Sequence, residues 1–293
     1  MPLQQIWHLI EARYGGFSPQ LQRAARFVRE NPQEVALQSM RHIAGRVGVS
    51  PATMTRLIQA LEIGTWEAFQ TIHRQWLTEG KRGVFSGPAD RVIADARKPG
   101  AEDLLLESMA HLDGLNLETT LGPQMRAPLR KAAALIALAP TVAIAGLRSS
   151  FPVAYGLHYA LSLFLAGTVL MPGAGGALLD GLHHLRPGAV LIVISISPYS
   201  RETVTLAQLA HEAGCTVVGI TDGPLSPIAQ VADIALIART DSPSHLASLV
   251  GLMAVAQALA MLVLARAGDG ALEAMRHREA MFETTSAYLP SQD

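Results

Sequence analysis

The second half of the chain alternates short β-branched runs with segments of helical period, and this constrains its fold more than any other feature. The runs fall at residues 141–145, 168–171, 190–195, 216–220 and 234–237. The run at 190–195, Val-Leu-Ile-Val-Ile-Ser, is apolar almost throughout, as expected of a parallel strand covered on both faces. Helical patterns fill the intervals at 126–138, 152–165 and 201–213. Strands alternating with helices predict an α/β domain with a doubly wound parallel sheet, an α/β/α sandwich.

The first half carries no such runs and reads as all-α. Ser18-Pro19 pairs an N-cap with a proline at the first helical position, and Leu21, Ala24, Ala25 and Val28 give the following helix a buried stripe. Asn31-Pro32 ends it, and a short helix covers 32–37. Ser39 caps a helix through Met40, Ile43, Ala44 and Val47, which Gly48 stops in a tight turn. Ser50-Pro51 then opens a helix whose core stripe is Met54, Leu57, Ile58 and Leu61. Its opposite face carries Ala52, Thr53, Thr55, Arg56 and Gln59. Trp66, Phe69, Ile72 and Trp76 mark a helix packing behind.

Helix, tight turn and short N-capped helix are the layout of a helix-turn-helix, which presents small polar and basic groups to a major groove. Ser50, Thr53, Thr55, Arg56 and Gln59 are therefore the candidate DNA contacts. Arginine can grip guanine or phosphate, threonine can meet phosphate or a thymine methyl, and the free N–H groups at the Ser50 cap suit one phosphate. Arg41 and Arg46 are either phosphate contacts or surface charge. Charge agrees weakly: residues 1–85 hold ten basic and six acidic side chains, whereas the rest holds thirteen and eighteen.

At 293 residues, two domains fit better than one. Glycines 80, 83 and 87 with Pro88 predict a linker, Lys98-Pro99-Gly100 a second break, and residues 101–121 a connecting helix. The expected division is a DNA-binding domain at 1–80, a linker with its helix at 81–124, a sheet domain at 125–266 and a helical tail at 267–293. Residues 246–265 hold only Ser248 and Gln257 as polar interruptions. That length could span a bilayer, but their place after the strand–helix series favours a buried helix or a subunit interface, with no membrane partner. Charged residues make up 16%, below the usual ~25%, which points to a homo-oligomer, dimer or tetramer. The single cysteine, Cys215, fits a reducing, cytoplasmic compartment and reads as a core residue. The first residues lack the charge and apolar pattern of a signal peptide.

Two hydroxyl-rich loops follow strand ends, where open parallel sheets bind ligands. Gly146 to Ser150 offers Arg148, Ser149 and Ser150. The loop from Ser195 to Thr203 offers Ser195, Ser197 and Ser200. Each leads into a helix N-terminus, whose N–H groups favour an anion, and the set suits a phosphate monoester. The competing reading is that these hydroxyls only cap helices. A third loop after residue 221 has Asp222 fixing the turn and Ser226 as a cap. His183 and His184 are adjacent and cannot chelate one ion together, and no Cys/His spacing suggests a metal or cofactor. His245 is placed at the start of the last helix.

Residues 39–61, with Ile43-Ala44 and the run from Val49 to Arg56, resemble the helix-turn-helix of the RpiR family of bacterial regulators. Residues 62–69 resemble that family's following segment, and residues 126–265 resemble the sugar isomerase (SIS) domain its members carry. The resemblance implies a transcription regulator that binds operator DNA and senses a small phosphorylated carbohydrate. The family's Gly-x-Gly-x-Ser loop falls on Gly146, Arg148 and Ser150, and its Ser-x-Ser-Gly-x-Thr loop on Ser195, Ser197, Pro198 and Ser200. Arg148 replaces a glycine that admits the ligand to the backbone, and so either narrows the pocket or pairs with an anion. Pro198 replaces the turn glycine. The alternatives are a phosphosugar isomerase and an SIS dimerisation scaffold that binds no ligand. Isomerase chemistry needs a general base beside the sugar, yet between Ser150 and Arg201 the only carboxylate is Asp180. No catalytic residue is therefore expected.

Overall fold

The computed structural model describes residues 3–79 and 83–289 and divides the chain into two compact units, Met1–Arg97 and Lys98–Asp293. Met1, Pro2, the start of the expected linker at residues 80–82 and the tail end at 290–293 lie outside the described residues.

The first unit is all-α: α1 (Leu3–Arg13), α2 (Pro19–Glu30), α3 (Pro32–Leu37), α4 (Met40–Val47), α5 (Pro51–Ala60), α6 (Trp66–Glu79) and α7 (Ser86–Ala96). The caps form as the residue types require. Ser18, Ser39 and Ser50 each accept from the backbone N–H three residues on, and Gly48 takes the left-handed conformation (φ 71°) that ends α4. Ile6, Ile10, Ala25, Val28, Ile43, Met54, Leu57, Ile58, Leu61 and Phe69 are buried. Behind them, α6 buries polar groups with a definite task. Gln70 donates to the carbonyls of Val35 (3.2 Å) and Gln38 (2.8 Å), and Arg74 to that of Ala36 (2.9 Å), satisfying backbone acceptors at the end of the short α3.

His73, on the same face, is fully buried. Its Nδ1 lies 2.8 Å from the Phe69 carbonyl oxygen, and its Nε2 has no hydrogen-bond partner. Burial lowers its pKa more than the Phe69 carbonyl raises it. The unfolded chain then takes up a proton, below about pH 6.5, that the folded unit resists. The contribution of His73 to stability is complete above that pH and declines as pH falls from it towards the lower folded-state value. Urea midpoints between pH 7.5 and 5 should therefore fall further for the native chain than for His73→Leu. Parallel pH profiles would remove His73 as the cause.

The second unit opens with α8 (Ala101–Thr120) and α9 (Pro123–Leu138). It continues through β1 (Val142–Gly146), α10 (Phe151–Ser162), β2 (Thr168–Met171), β3 (Val190–Ile194), α11 (Arg201–Glu212), β4 (Thr216–Thr221), α12 (Pro227–Val231), β5 (Ile234–Ile237) and α13 (Val250–Thr284). The five strands are parallel, as the alternating pattern predicts, and lie in the order β2-β1-β3-β4-β5. Both faces are covered. Val142, Ile144, Ile192, Val218 and Leu236 pack with α9, α10 and α13, and the alternate residues Ala143, Ala145, Leu191, Val193 and Val217 with α11 and α12. Leu252, Val255, Leu259 and Val263 place the apolar stretch of α13 in that core, although it is long and apolar enough to cross a membrane by composition alone. Cys215 is buried just before β4, and burial raises its thiol pKa.

Two expectations are corrected. Residues 81–124 are not a linker over their length: α7 belongs to the first unit and α8 to the second. Beyond 266, α13 continues to Thr284 past a break at Gly268 (φ 61°, ψ −144°), so the tail is helical that far, as expected. His245 lies in the loop before α13, whose first residue is Val250.

Candidate functional site

In the first unit, α4, the Gly48 turn and α5 form the helix-turn-helix. Thr55, Arg56 and Gln59 are exposed on α5, and Ser50 is exposed at its cap. Thr53 departs from the expected set. It is fully buried, its hydroxyl lying 3.0 Å from Ser50 Oγ and 3.3 Å from Gln20 Oε1. Lying one turn before Leu57 on the core margin, it cannot reach a groove. Its role is to brace: its hydroxyl also accepts from Arg56 Nη2 at 3.3 Å and so orients that guanidinium. Thr55 returns its hydroxyl to the Pro51 carbonyl (3.3 Å) and can still present its methyl. Arg46 pairs with Glu34 at 3.3 Å, while Arg41 is exposed.

In the second unit the strand order reverses between β1 and β3, and Gly146 stands opposite Ile194, so both hydroxyl-rich loops leave the same sheet edge side by side. This is the switch point at which open parallel sheets take ligands. The first loop is a 3-10 turn from Arg148 to Ser150 that runs into α10. Arg148 and Ser149 are exposed, and Ser150 is buried. In the second loop Ser197 is exposed, whereas Ser195 and Ser200 are buried and engaged within the loop. Ser195 Oγ accepts from Ser200 N (3.3 Å), and Ser200 Oγ from Thr203 N (3.5 Å) as the cap of α11. Asp222, at the end of β4, holds the loop from the side, accepting from Ser197 N (3.1 Å) and the Tyr199 hydroxyl (2.8 Å). Tyr199 was not foreseen; its signal was its position facing an acidic residue at the next strand end. Among the described residues, no group of three or more His, Cys, Asp or Glu side chains could hold a metal ion.

The family model for the SIS domain matches residues 135–265. An uncharacterised HTH-type transcriptional regulator of Caldanaerobacter subterraneus subsp. tengcongensis is 24% identical over 241 residues, 82% of each chain. The sugar isomerase domain of the RpiR transcription factor from Sphaerobacter thermophilus is 31% identical. It is matched over 98% of its length and 60% of this chain, with a TM-score of 0.56. The chain belongs to the RpiR family. The fold extends to the NanR protein of Vibrio vulnificus, solved in complex with ManNAc-6P, at 17% identity over 94% of this chain and 98% of that one, with a TM-score of 0.51.

The protein is therefore an RpiR-type transcription regulator with an SIS domain. Within this family, the two departures at its loops take on physical meaning. Arg148 keeps a left-handed backbone (φ 55°), a conformation that glycine adopts freely and that costs another residue roughly 1–2 kcal/mol. An exposed guanidinium thus stands at the strand end on a backbone that glycine would adopt freely. Pro198 follows a cis Ser197-Pro198 bond.

Proposed function

We propose that this RpiR-family regulator senses a small phosphorylated carbohydrate at the β1 and β3 strand ends and alters its affinity for operator DNA in response. The observation that carries the reading is the pairing of Gly146 with Ile194, which sets two loops with exposed hydroxyls, each opening a helix, against one another at the switch point. Helix N–H groups, Ser149, Ser197 and the Arg148 guanidinium would hold the phosphate. The complex of NanR with ManNAc-6P supports the ligand class. The buried Ser150, Ser195 and Ser200 shape the loops around it. Ser50, Thr55, Arg56 and Gln59 would meet DNA. The chain acts in the cytoplasm as a homo-oligomer, and two helix-turn-helix units read a palindromic site. Exposed Leu104, Leu106, Met261 and Leu272 support self-association through α8 and α13. The effector must bind the two states unequally to change operator affinity.

The test is a thermal-shift screen against ManNAc-6P, glucosamine 6-phosphate, glucose 6-phosphate and their unphosphorylated counterparts. A ligand at one hundred times its Kd adds about 2.7 kcal/mol, a readily measured rise in melting temperature. Ser197→Ala is expected to abolish the shift of a phosphorylated hit. Silence across the phosphates from a chain that still binds DNA would sink the sensor reading. For DNA, Arg56→Ala is expected to weaken binding to a duplex selected from a randomised pool by about 1–3 kcal/mol. An unchanged affinity would remove Arg56 from the interface.

A further inference from the structure

The loop from Ala238 to Leu249, which follows β5, is fastened to α8 by side chains that the fold buries for no other evident purpose. Asn116 and Asp241 make a reciprocal pair: Asn116 Nδ2 donates to the Asp241 carbonyl (2.7 Å), and Asp241 N donates to Asn116 Oδ1 (3.1 Å). Arg239 N donates to Thr120 Oγ1 (2.9 Å), and the Ser248 hydroxyl donates to Asp113 Oδ1 (2.5 Å). Asn116, Thr120 and Ser248 are each at most 4% exposed. By contrast, Leu104, Leu106, Leu115 and Leu117 of the same helix stand largely in the open. The C-terminal half of α8 is thus gripped by directed polar bonds.

The same bonds continue to the strand-end loops. Ala238 N donates to the Thr221 carbonyl (2.8 Å). The Thr221 hydroxyl donates to the Ser195 carbonyl (2.8 Å), and the adjacent Asp222 holds Ser197 and Tyr199. The path from Ser197 to Thr120 is unbroken and runs across the ends of β3, β4 and β5.

We propose that this path is the relay by which the strand-end edge controls α8, the helix that only three residues separate in sequence from the end of the DNA-binding unit. Its use in signalling rests on the sensor function proposed above, but the coupling is a property of the chain alone and is testable without an effector. Asp222 touches the second loop and Thr120 touches the fifth-strand loop, and they share no direct bond. The hydrogen-bonded route between them runs through Thr221, Ala238 and Arg239.

The experiment is amide hydrogen exchange, read by mass spectrometry on the full chain, for Asp222→Ala, Thr120→Val and the conservative Thr120→Ser. Asp222→Ala is expected to speed exchange about five- to tenfold in the last turns of α8 as well as locally, as part of the loss of the Asp222 hydrogen bonds spreads along the path. Thr120→Val is expected to do the same at residues 195–200, and Thr120→Ser to restore protection. Should Thr120→Val fail to fold, Asp222→Ala against native chain still reads the coupling in one direction. Exchange that changes only beside each substitution, or evenly across the whole unit, overturns the relay. Failure of the effector screen with the cross-response intact would refute the sensor reading alone.

Discussion

Phe69→Ala is expected to unfold the DNA-binding unit at physiological temperature while leaving the sheet unit folded. Phe69 is fully buried on α6, with the Trp66 ring centroid at 5.7 Å and the His73 ring at 4.4 Å. Deleting a buried phenylalanine costs about 3–5 kcal/mol. That is a large share of the ~5–15 kcal/mol that holds a domain folded. The loss spreads because neighbouring α6 side chains carry bonds to α3: Gln70 and Arg74 hold three carbonyls there. If α6 shifts, those acceptors lose their partners, and α4 and α5 lose their support. Calorimetry of the full chain should show one transition lowered or missing and the other unmoved, with DNA binding abolished. A single transition shifted as a whole would mean that the two units melt together, and an unshifted thermogram would mean that the Phe69 site collapses without cost.

The central strands were legible because β1 and β3 are buried at every residue and β4 at all but its first, and the edge strands because short β-branched runs recur between helical patterns. The predicted strands at 168–171 and 234–237 match β2 and β5, β3 and β4 differ by one residue at their ends, and β1 is shifted by one residue. The caps were legible for a similar reason, since Ser-Pro and a terminal glycine act locally. The errors have local causes too. Gly87-Pro88 reads as a break, yet Pro88 sits in the first turn of α7, where its missing N–H is not needed. Thr53 reads as a solvent-face residue because threonine is polar, but it is buried, and its hydroxyl donates to Gln20, thirty-three residues away in sequence. The bonds of Asn116, Thr120 and Asp113 reach loop residues 119 to 135 positions further on. No periodicity encodes such a pairing, and Asn116 and Thr120 read only as unremarkable polar residues on a leucine-rich helix. Asp222 lay between these extremes: its place at a strand end marked it, and the structure supplied its partners.

Gly251→Val should damage the sheet unit through the contact of α8 with the fifth-strand loop. A Cβ at position 251 would stand 2.5 Å from the Arg239 carbonyl oxygen and 2.9 Å from Thr120 Oγ1. The first of these is backbone and cannot swing aside, so either α13 backs away or the loop does. Overpacking of this kind typically costs about 1–3 kcal/mol. The movement also separates Arg239 N from Thr120, a buried hydrogen bond whose unmet partners add about 1–3 kcal/mol. Gly251 lies at the second residue of α13, where glycine costs helix stability, so its presence there is explained by close approach and not by helix formation. The substitution is expected to lower the melting temperature of the sheet unit by several degrees and to speed hydrogen exchange in α8 and the loop. Ser197→Ala, at the far end of the same path on an exposed side chain, should leave melting in the absence of ligand unchanged. Equal melting of Gly251→Val and the native chain would show that the loop can yield without cost, and α8 would then be held by something other than these bonds.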